Sequence, residues 1–479
     1  MLNLPHWPKV PIYGQPKKPD LKAARTLLNA LDNPHKKLPP TIHIAGTNGK
    51  GSTAAMLKSI FEAAGYKVHT YTSPHLIEFN ERINLAGQNI SDHHLFELLE
   101  TVRTAAEPLG IEPSFFEGIT IAAFLAFSQT PADLLILETG MGGRLDCTNV
   151  TPNPLLTIIT PISFDHMGSL GNSLVEIATE KAGIIKPGVP CVISAQNEEV
   201  YELLLAKCEQ SGSPAFCYEY DYIIEEINNE LVYRSQKYTL ALPRPSLLGK
   251  HQYINASAVV AAVMLINGKK RQPQGAEGLN RHPELQNRHP ELDSGSQETR
   301  VIPDEILNQV QDDVPRLQDN VLALSDDNGF KISNEDIAYG LQNAKWPGRI
   351  EKLAYKKYPN LNIYLDGAHN EAGAKALAYW AEENFKEPVY LIVGMTKNRN
   401  VESFCQHFQN IALEGRAVKV LSEPSSYHPD VITSAAKAYV PFKSSESLEE
   451  ALGDLNNLTA TNIIITGSLF LVSDFYKLL

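Results

Sequence analysis

The chain has 479 residues, 43% hydrophobic and 20% charged, with a formal net charge of −13. Length and composition fit a globular protein of two or three domains with ample core. The acidic balance argues against bulk nucleic-acid binding or attachment to an anionic membrane, though it permits a local basic pocket, and no apolar run is long enough to span a bilayer. Residues 1–40 are rich in Pro and Lys, with no charged segment leading into an apolar core, so they read as no signal peptide. A helical pattern over Leu21–Leu31 ends at Asp32-Asn33-Pro34, because the residue before a proline avoids the α region. The five cysteines (Cys147, Cys191, Cys208, Cys217, Cys405) are odd in number and lack CxxC pairing. They read as reduced thiols rather than a disulfide frame or zinc site. The expectation is a soluble, cytoplasmic monomer with no nucleic-acid or membrane partner.

Thr41 to Thr53 reads as a short apolar strand, a Gly-rich turn and a helix running from Thr53 to Ala64. Gly46, Gly49 and Gly51 let backbone N–H groups crowd an anion. The helix start adds free donors and the positive end of its dipole. Lys50 supplies a point charge for ATP phosphates, and Ser52 or Thr53 a hydroxyl for Mg²⁺. The strict phosphate-loop pattern is not met. Ile44 stands where its first glycine belongs, and Gly51 separates Lys50 from Ser52.

Tyr66–Tyr71 reads as a second strand, and Ser91–Ala106 and Phe116–Ser128 as helices. Asp133–Glu138, Leu155–Thr160 and Gly188–Ser194 are too apolar to alternate, as in strands of a parallel sheet. Strands alternating with helices imply a doubly wound α/β fold. Tyr218–Ile224, Leu231–Arg234 and Tyr238–Leu242 look like a small β meander, after which Asn255–Ile266 is helical again. Residues 267–325 are rich in polar residues and Pro. They repeat Asn280-Arg-His-Pro-Glu-Leu285 as Asn287-Arg-His-Pro-Glu-Leu292. A flexible insertion, a partner-binding segment and a metal site on His282 and His289 compete as readings. A helix from Ser333 to Ala344 and a turn at Trp346-Pro-Gly-Arg349 lead into strands at Asn362–Leu365, Val389–Val393, Ala417–Leu421 and Asn462–Thr466. This divides the chain into residues 1–345 and a smaller α/β domain, 346–479.

Several polar residues sit where strands of an open parallel sheet end, the usual place for a ligand. Glu138 ends one strand and could ligate Mg²⁺ or orient water, or simply face solvent. Asp165-His166 follows the next strand, and either side chain could act as a ligand. Lys181 ends an apolar helix, where a lysine ordinarily snorkels. Asp366-Gly-Ala-His-Asn370 forms a polar corner in the second domain, and Arg349 can reach phosphates across a cleft.

Nine segments occur in order: Ala45-Gly-Thr-Asn-Gly-Lys-Gly-Ser52, Tyr71-Thr-Ser-Pro-His-Leu76, Phe79-Asn-Glu-Arg82, Glu138-Thr-Gly-Met-Gly-Gly-Arg-Leu-Asp146, Asp165-His166, Lys181-Ala-Gly-Ile-Ile-Lys186, His251-Gln252 with Asn255, Trp346-Pro-Gly-Arg349 and Asp366-Gly-Ala-His-Asn370. Together they resemble the folylpolyglutamate synthase/dihydrofolate synthase family of the Mur ligase superfamily, over nearly the whole chain except about 267–325. The resemblance implies a P-loop, Mur-ligase-like ATPase domain with a small β subregion, plus a Rossmann-like C-terminal domain.

It also implies ATP-dependent ligation of L-glutamate to dihydropteroate and to tetrahydrofolate mono- or polyglutamates through an acyl phosphate. In that family pattern Gly46, Thr47, Asn48, Gly49, Lys50, Gly51 and Ser52 hold the triphosphate of ATP. Asn255, Arg349, Asp366 and His369 grip the nucleotide from the far side. Ser73, Glu138 and His166 resemble the Mg²⁺ ligands, and Lys181 resembles a lysine carrying a carbamate. Lys50, Lys181 and His166 are the implied catalytic set. Two Mg²⁺ sites and a monovalent cation complete the expected cofactors. Ser114-Phe115-Phe116-Glu117 and Leu145-Asp146-Cys147 are similar to segments lining a pterin pocket, with Ser114 and Cys147 as small departures; for the Phe pair, plain core packing at a helix start is the competing reading. Three alternatives stand beside the bifunctional enzyme: polyglutamylation alone, a Mur-type ligase for another acid, and an ATP-binding module without ligation.

Overall fold

The computed structural model describes residues 20–228, 230–267, 329–457 and 462–479. Apart from Asn267, the segment read as an insertion, with its repeated hexapeptide, His282 and His289, lies outside the described residues. An eight-stranded sheet has the order β4-β3-β2-β5-β1-β6-β7-β8. Its strands are β1 (Thr41–Ala45), β2 (Val68–Tyr71), β3 (Ile83–Leu85), β4 (Gln88–Asn89), β5 (Leu134–Glu138), β6 (Leu156–Ile159), β7 (Cys191–Ile193) and β8 (Ala215–Cys217). From β2 to β8 every pairing is parallel, and β3 and β4 add an antiparallel edge.

Both faces of the central strands are buried, which explains their unbroken apolar runs. Alternate side chains go to opposite cores. Ile42, Ile44, Leu134 and Ile136 pack with helices Lys50–Ala63, His251–Ile266 and Asn334–Asn343. Leu135 and Leu137 pack with Asp92–Ala106 and Phe115–Gln129. A three-stranded antiparallel sheet, β9 (Tyr222–Ile227), β10 (Glu230–Ser235) and β11 (Thr239–Leu242), joins the first core.

The second sheet has the order β12-β13-β17-β14-β15-β16. It is built from β12 (Glu351–Leu353), β13 (Asn362–Leu365), β14 (Val389–Val393), β15 (Ala412–Ala417), β16 (Phe442–Ser444) and β17 (Asn462–Thr466). Only β12 runs antiparallel. Among the described residues no helix is long and apolar enough to cross a membrane.

Three sequence expectations need correction. The strand expected over Ala417–Leu421 lies earlier, at Ala412–Ala417. Its charged residues hid it. Arg416 is buried and paired with Glu414 and Asp454, whereas the apolar Leu421 is 70% exposed. The phosphate-loop helix starts at Lys50 rather than Thr53, because Gly49 takes the left-handed cap conformation at φ 87°. The strand expected at Tyr218–Ile224 starts only at Tyr222, in β9, and residues 218–221 form the turn from β8, with Asp221 accepting the Cys217 N–H at 2.7 Å.

Helix Asn334–Asn343 packs tightly on the phosphate-loop helix at Gly340, where an added Cβ would meet the Ile60 Cα at 2.5 Å and its N at 2.6 Å. Gly340→Ala is therefore expected to cost about 1–3 kcal/mol by overpacking. Urea unfolding would read this as a lower midpoint, and an unchanged midpoint would mean that the two helices separate freely there.

Candidate active site

The order of the first sheet brings four distant segments to one edge. Strands β2, β5, β1 and β6 are adjacent and parallel, so Ser73, Glu138, the loop Gly46–Gly49 and Asp165-His166 all leave at their carboxyl ends. The second sheet presents its own carboxyl edge opposite, with Asp366 and His369 after β13, while Arg349 precedes the antiparallel β12. Between them lies a cavity of ≈ 380 Å³. Gly46 to Ser52, Ser73, Glu138, His166, Lys181, Asn255, Arg349, Asp366 and His369 all line it.

The phosphate loop is pinned from below. The N–H groups of Thr47 and Asn48 donate to the Pro161 carbonyl at 3.0 and 3.1 Å. The Thr47 hydroxyl donates to the Ser163 carbonyl at 3.0 Å, and the Asn48 amide to the Ser163 hydroxyl at 3.1 Å. Gly49 needs its positive φ, and a Cβ there would stand 2.4 Å from the Asn255 side-chain oxygen. A Cβ on Gly51 would meet the Trp346 indole at 2.6 Å. The glycine that breaks the sequence pattern therefore makes room for the Trp346-Pro-Gly-Arg349 turn. Of the two candidate hydroxyls, Ser52 receives the Gln252 amide at 3.3 Å, while the Thr53 Oγ1 is buried without a hydrogen-bond partner among the described residues.

Charge is concentrated beneath this loop. The Lys181 amine, 4% exposed, donates to the Gly46 carbonyl at 2.8 Å, and Lys50 donates to the same carbonyl at 3.2 Å. Lys50 Nζ lies 3.9 Å from Glu138 Oε1. Burial, then the charge of Lys50, lowers the pKa of Lys181 to about 7. Burial also lowers that of Lys50, with Glu138 opposing. Glu138 is pushed up to about 7 by burial, against Lys50 and a backbone hydrogen bond from Ser73, and its Oε2 is buried without a partner among the described residues. His166 has φ 50° and a side chain 46% exposed, held low at about 4 by burial first. On the far side the Asp366 carboxylate accepts the Ile350 and Ala368 N–H groups at 3.0 and 2.8 Å, and burial raises its pKa. His369 Nδ1 donates to the Gly367 carbonyl at 2.9 Å.

The residues expected around a pterin lie one layer behind the Gly140–Gly142 segment of the cleft wall. Phe116 presses on Gly140, where a Cβ would be 2.3 Å from its ring, and packs on Tyr71 at 6.1 Å. Phe115 meets Phe79 edge-on at 5.8 Å, with the Arg82 guanidinium over both rings. Ser114 and Glu117 satisfy each other in a capping box. Asp146 accepts from the Met141 N–H at 2.9 Å and from the Thr148 N–H and hydroxyl at 2.9 and 2.5 Å. Cys147 is buried in the core and Leu145 is half-buried. Sequence reasoning gave no role to Gln252, which joins Ser52 to Asn255, although its motif was visible. It missed Arg399 entirely. That residue sits in a polar loop with no periodicity to mark it, yet it pairs with Asp165.

Residues 44–263 match the family model of the Mur ligase middle domain, and residues 349–478 that of the dihydrofolate synthetase C-terminal domain. A Bacillus subtilis protein named dihydrofolate synthase/folylpolyglutamate synthase is 31% identical, covering 97% of this chain and 97% of its own. The crystal structure of folylpolyglutamate synthase from Thermotoga maritima is 28% identical with a TM-score of 0.71, covering 96% of this chain and 93% of that one. E. coli FolC in complex with DHPP and ADP shares the fold, at a TM-score of 0.75 and 22% identity over 97% of this chain and 94% of that one.

The depressed Lys181 has a consequence for stability. Between about pH 7 and 10.5 the unfolded chain holds a proton on this amine that the folded chain lacks, so the group makes stability rise with pH across that window. Lys181→Met removes the contribution. Its urea midpoint relative to wild type should be highest below pH 7 and fall as pH rises toward 10.5. A difference independent of pH would contradict the buried-amine reading.

Proposed function

The chain belongs to the dihydrofolate synthase/folylpolyglutamate synthase family, and on that premise we propose that it uses ATP to ligate L-glutamate to dihydropteroate and to tetrahydrofolate mono- and polyglutamates. The observation that carries this reading is the cavity between the two carboxyl edges, with buried Lys181 and Glu138 and the half-buried Lys50 at its phosphate-loop wall. That arrangement suits a polyphosphate on one side and an acyl acceptor on the other. On this reading residues 1–345 are the ATPase unit and 346–479 the unit that closes on it about 344–349.

The substrate carboxylate attacks the γ-phosphorus of ATP, forming an acyl phosphate and releasing ADP. Lys50 and Arg349 offset charge on the transferring phosphoryl group. Asn255, Arg349, Asp366 and His369 orient the nucleotide. The neutral α-amine of L-glutamate then attacks the acyl carbon, the C–N bond forms and inorganic phosphate leaves. A closed cleft excludes the water that would otherwise hydrolyse the acyl phosphate.

Glu138 supports a cation site by its unpartnered buried oxygen, since burial alone disfavours its charge. Ser73, Glu138 and His166 would hold Mg²⁺, which when bound neutralises phosphate charge. Lys181 suits carbamate formation. Its amine loses a proton near neutral pH, and addition to CO₂ makes one N–C bond and releases a second proton. A second Mg²⁺ site and a monovalent cation rest on the family resemblance, whereas a cytoplasmic location rests on composition and on the five cysteines read as reduced thiols, with the monomeric state part of that same expectation.

One observation favours polyglutamylation alone as a second reading. Asp146, Ser114 and Glu117 commit their polar groups to loop and helix capping, leaving chiefly the Phe115 and Phe116 rings for a pterin. Incorporation of labelled glutamate, with dihydropteroate and tetrahydrofolate supplied separately, distinguishes the two. Turnover with both is expected, and turnover with tetrahydrofolate alone would select the second reading. Lys181→Ala is expected to lower turnover by about 10²-fold or more. Near-normal folate product coupled to ADP release in that variant would refute its role.

A further inference from the structure

Outside the phosphate loop, one of the contacts between the two halves centres on a buried carboxylate. Asp165 follows β6 and is 8% exposed. Its Oδ1 accepts the His166 N–H at 2.7 Å, which fixes the side chain against its own backbone. Among the described residues, its partners from elsewhere in the chain come from the loops of the second sheet. Arg399 forms an ion pair with Oδ1. His369 Nε2 lies 3.2 Å from Oδ2, and Asn370 Nδ2 lies 3.5 Å from it. The same Asn370 amide donates to the Asn48 side chain of the phosphate loop at 3.1 Å, while its oxygen caps helix Glu371–Asn384.

Arg399 is aimed rather than loose. Asn398 before it takes φ 69°, and Asn400 after it caps helix Val401–Cys405. The Tyr427 hydroxyl donates to the Arg399 carbonyl at 3.2 Å, and the Lys397 N–H to the Ser425 carbonyl at 2.7 Å. A second pair, Lys250 with Glu383, also crosses between the halves, but its side chains are 45% and 33% exposed. Such a rim pair contributes little. The Arg399–Asp165 pair has side chains only 17% and 6% exposed, so losing one partner leaves a buried charge uncompensated.

We propose that Asp165 is a positioning residue whose pairing with Arg399 holds the two halves closed over the cleft and seats Asn370 against the phosphate loop. The kinetic consequence rests on the ligase reading, whereas the closure itself rests on the contacts alone. Arg399 is absent from the nucleotide- and metal-facing set, so its variants test closure without altering those groups.

Small-angle X-ray scattering of the full nucleotide-free chain reads closure directly. Arg399→Ala is expected to raise the radius of gyration, and Arg399→Lys, which keeps a cation, to bring it back toward wild type. Superimposable profiles for wild type and Arg399→Ala would overturn the proposal. In turnover assays Arg399→Ala should lower kcat about tenfold with a smaller change in the KM for ATP, as a loss of closure rather than of nucleotide contacts requires. Asp165→Asn combined with Arg399→Ala should be no slower than the worse single variant, because both remove one interaction. Losses that multiply would overturn it equally. A wild-type protein without turnover but with the scattering difference would count against the ligase reading and leave the latch standing.

Discussion

Lys181 and Glu138 are buried at the phosphate loop beside the half-buried Lys50, and much of the site depends on that confinement. A buried charge without full compensation is costly, and the protein can meet the cost by shifting proton affinities or by admitting a counter-charge. Both features are present. Lys181 and Glu138 are displaced toward neutrality, and the cavity above them is open to a polyanion and its cation. The Gly46 carbonyl, receiving both amines, is the fulcrum, and the parallel order of β5, β1 and β6 is what places it there.

Close packing then removes freedom from the loop. Gly46 lies against Thr160, Gly49 over Asn255 and Gly51 under Trp346, so each glycine marks a contact with a different element. The helix start, the His251–Ile266 helix and the turn into the second sheet are fitted to the loop at once. Shape in the phosphate-loop wall and shape at the junction of the two sheets are therefore one constraint. A side chain added at Gly51 would disturb both.

The opposite wall is built from turns rather than from regular elements. Asp366 ties Ile350 and Ala368 together, and His369 is oriented through the Gly367 carbonyl. These polar groups serve the local fold while facing the cavity. The same holds for Asp146, Ser114 and Glu117 behind the Gly140–Gly142 wall. Capping and loop closure account for their hydrogen bonds without any ligand, which is why a family motif there carries less functional weight than the buried Lys181.

The sequence by itself determined the parallel core, since unbroken apolar runs such as Leu134–Glu138 suit strands covered on both faces. It also determined the phosphate loop, because glycines, a lysine and a helix start are local and adjacent in the chain. The break at Gly51, the displaced strand Ala412–Ala417 and the short edge strands β3, β4, β12 and β16 were not legible. Each depends on a neighbour distant in sequence: the Trp346 indole for Gly51, the buried pairing of Arg416 for β15, and ladder partners for the edges. Only the tertiary structure decided that Lys50 and Lys181, 131 positions apart, share one carbonyl, and that Asp165 meets Arg399 across the cleft. Strand order sets those distances, and strand order is a property of long-range pairing that local residue patterns do not encode.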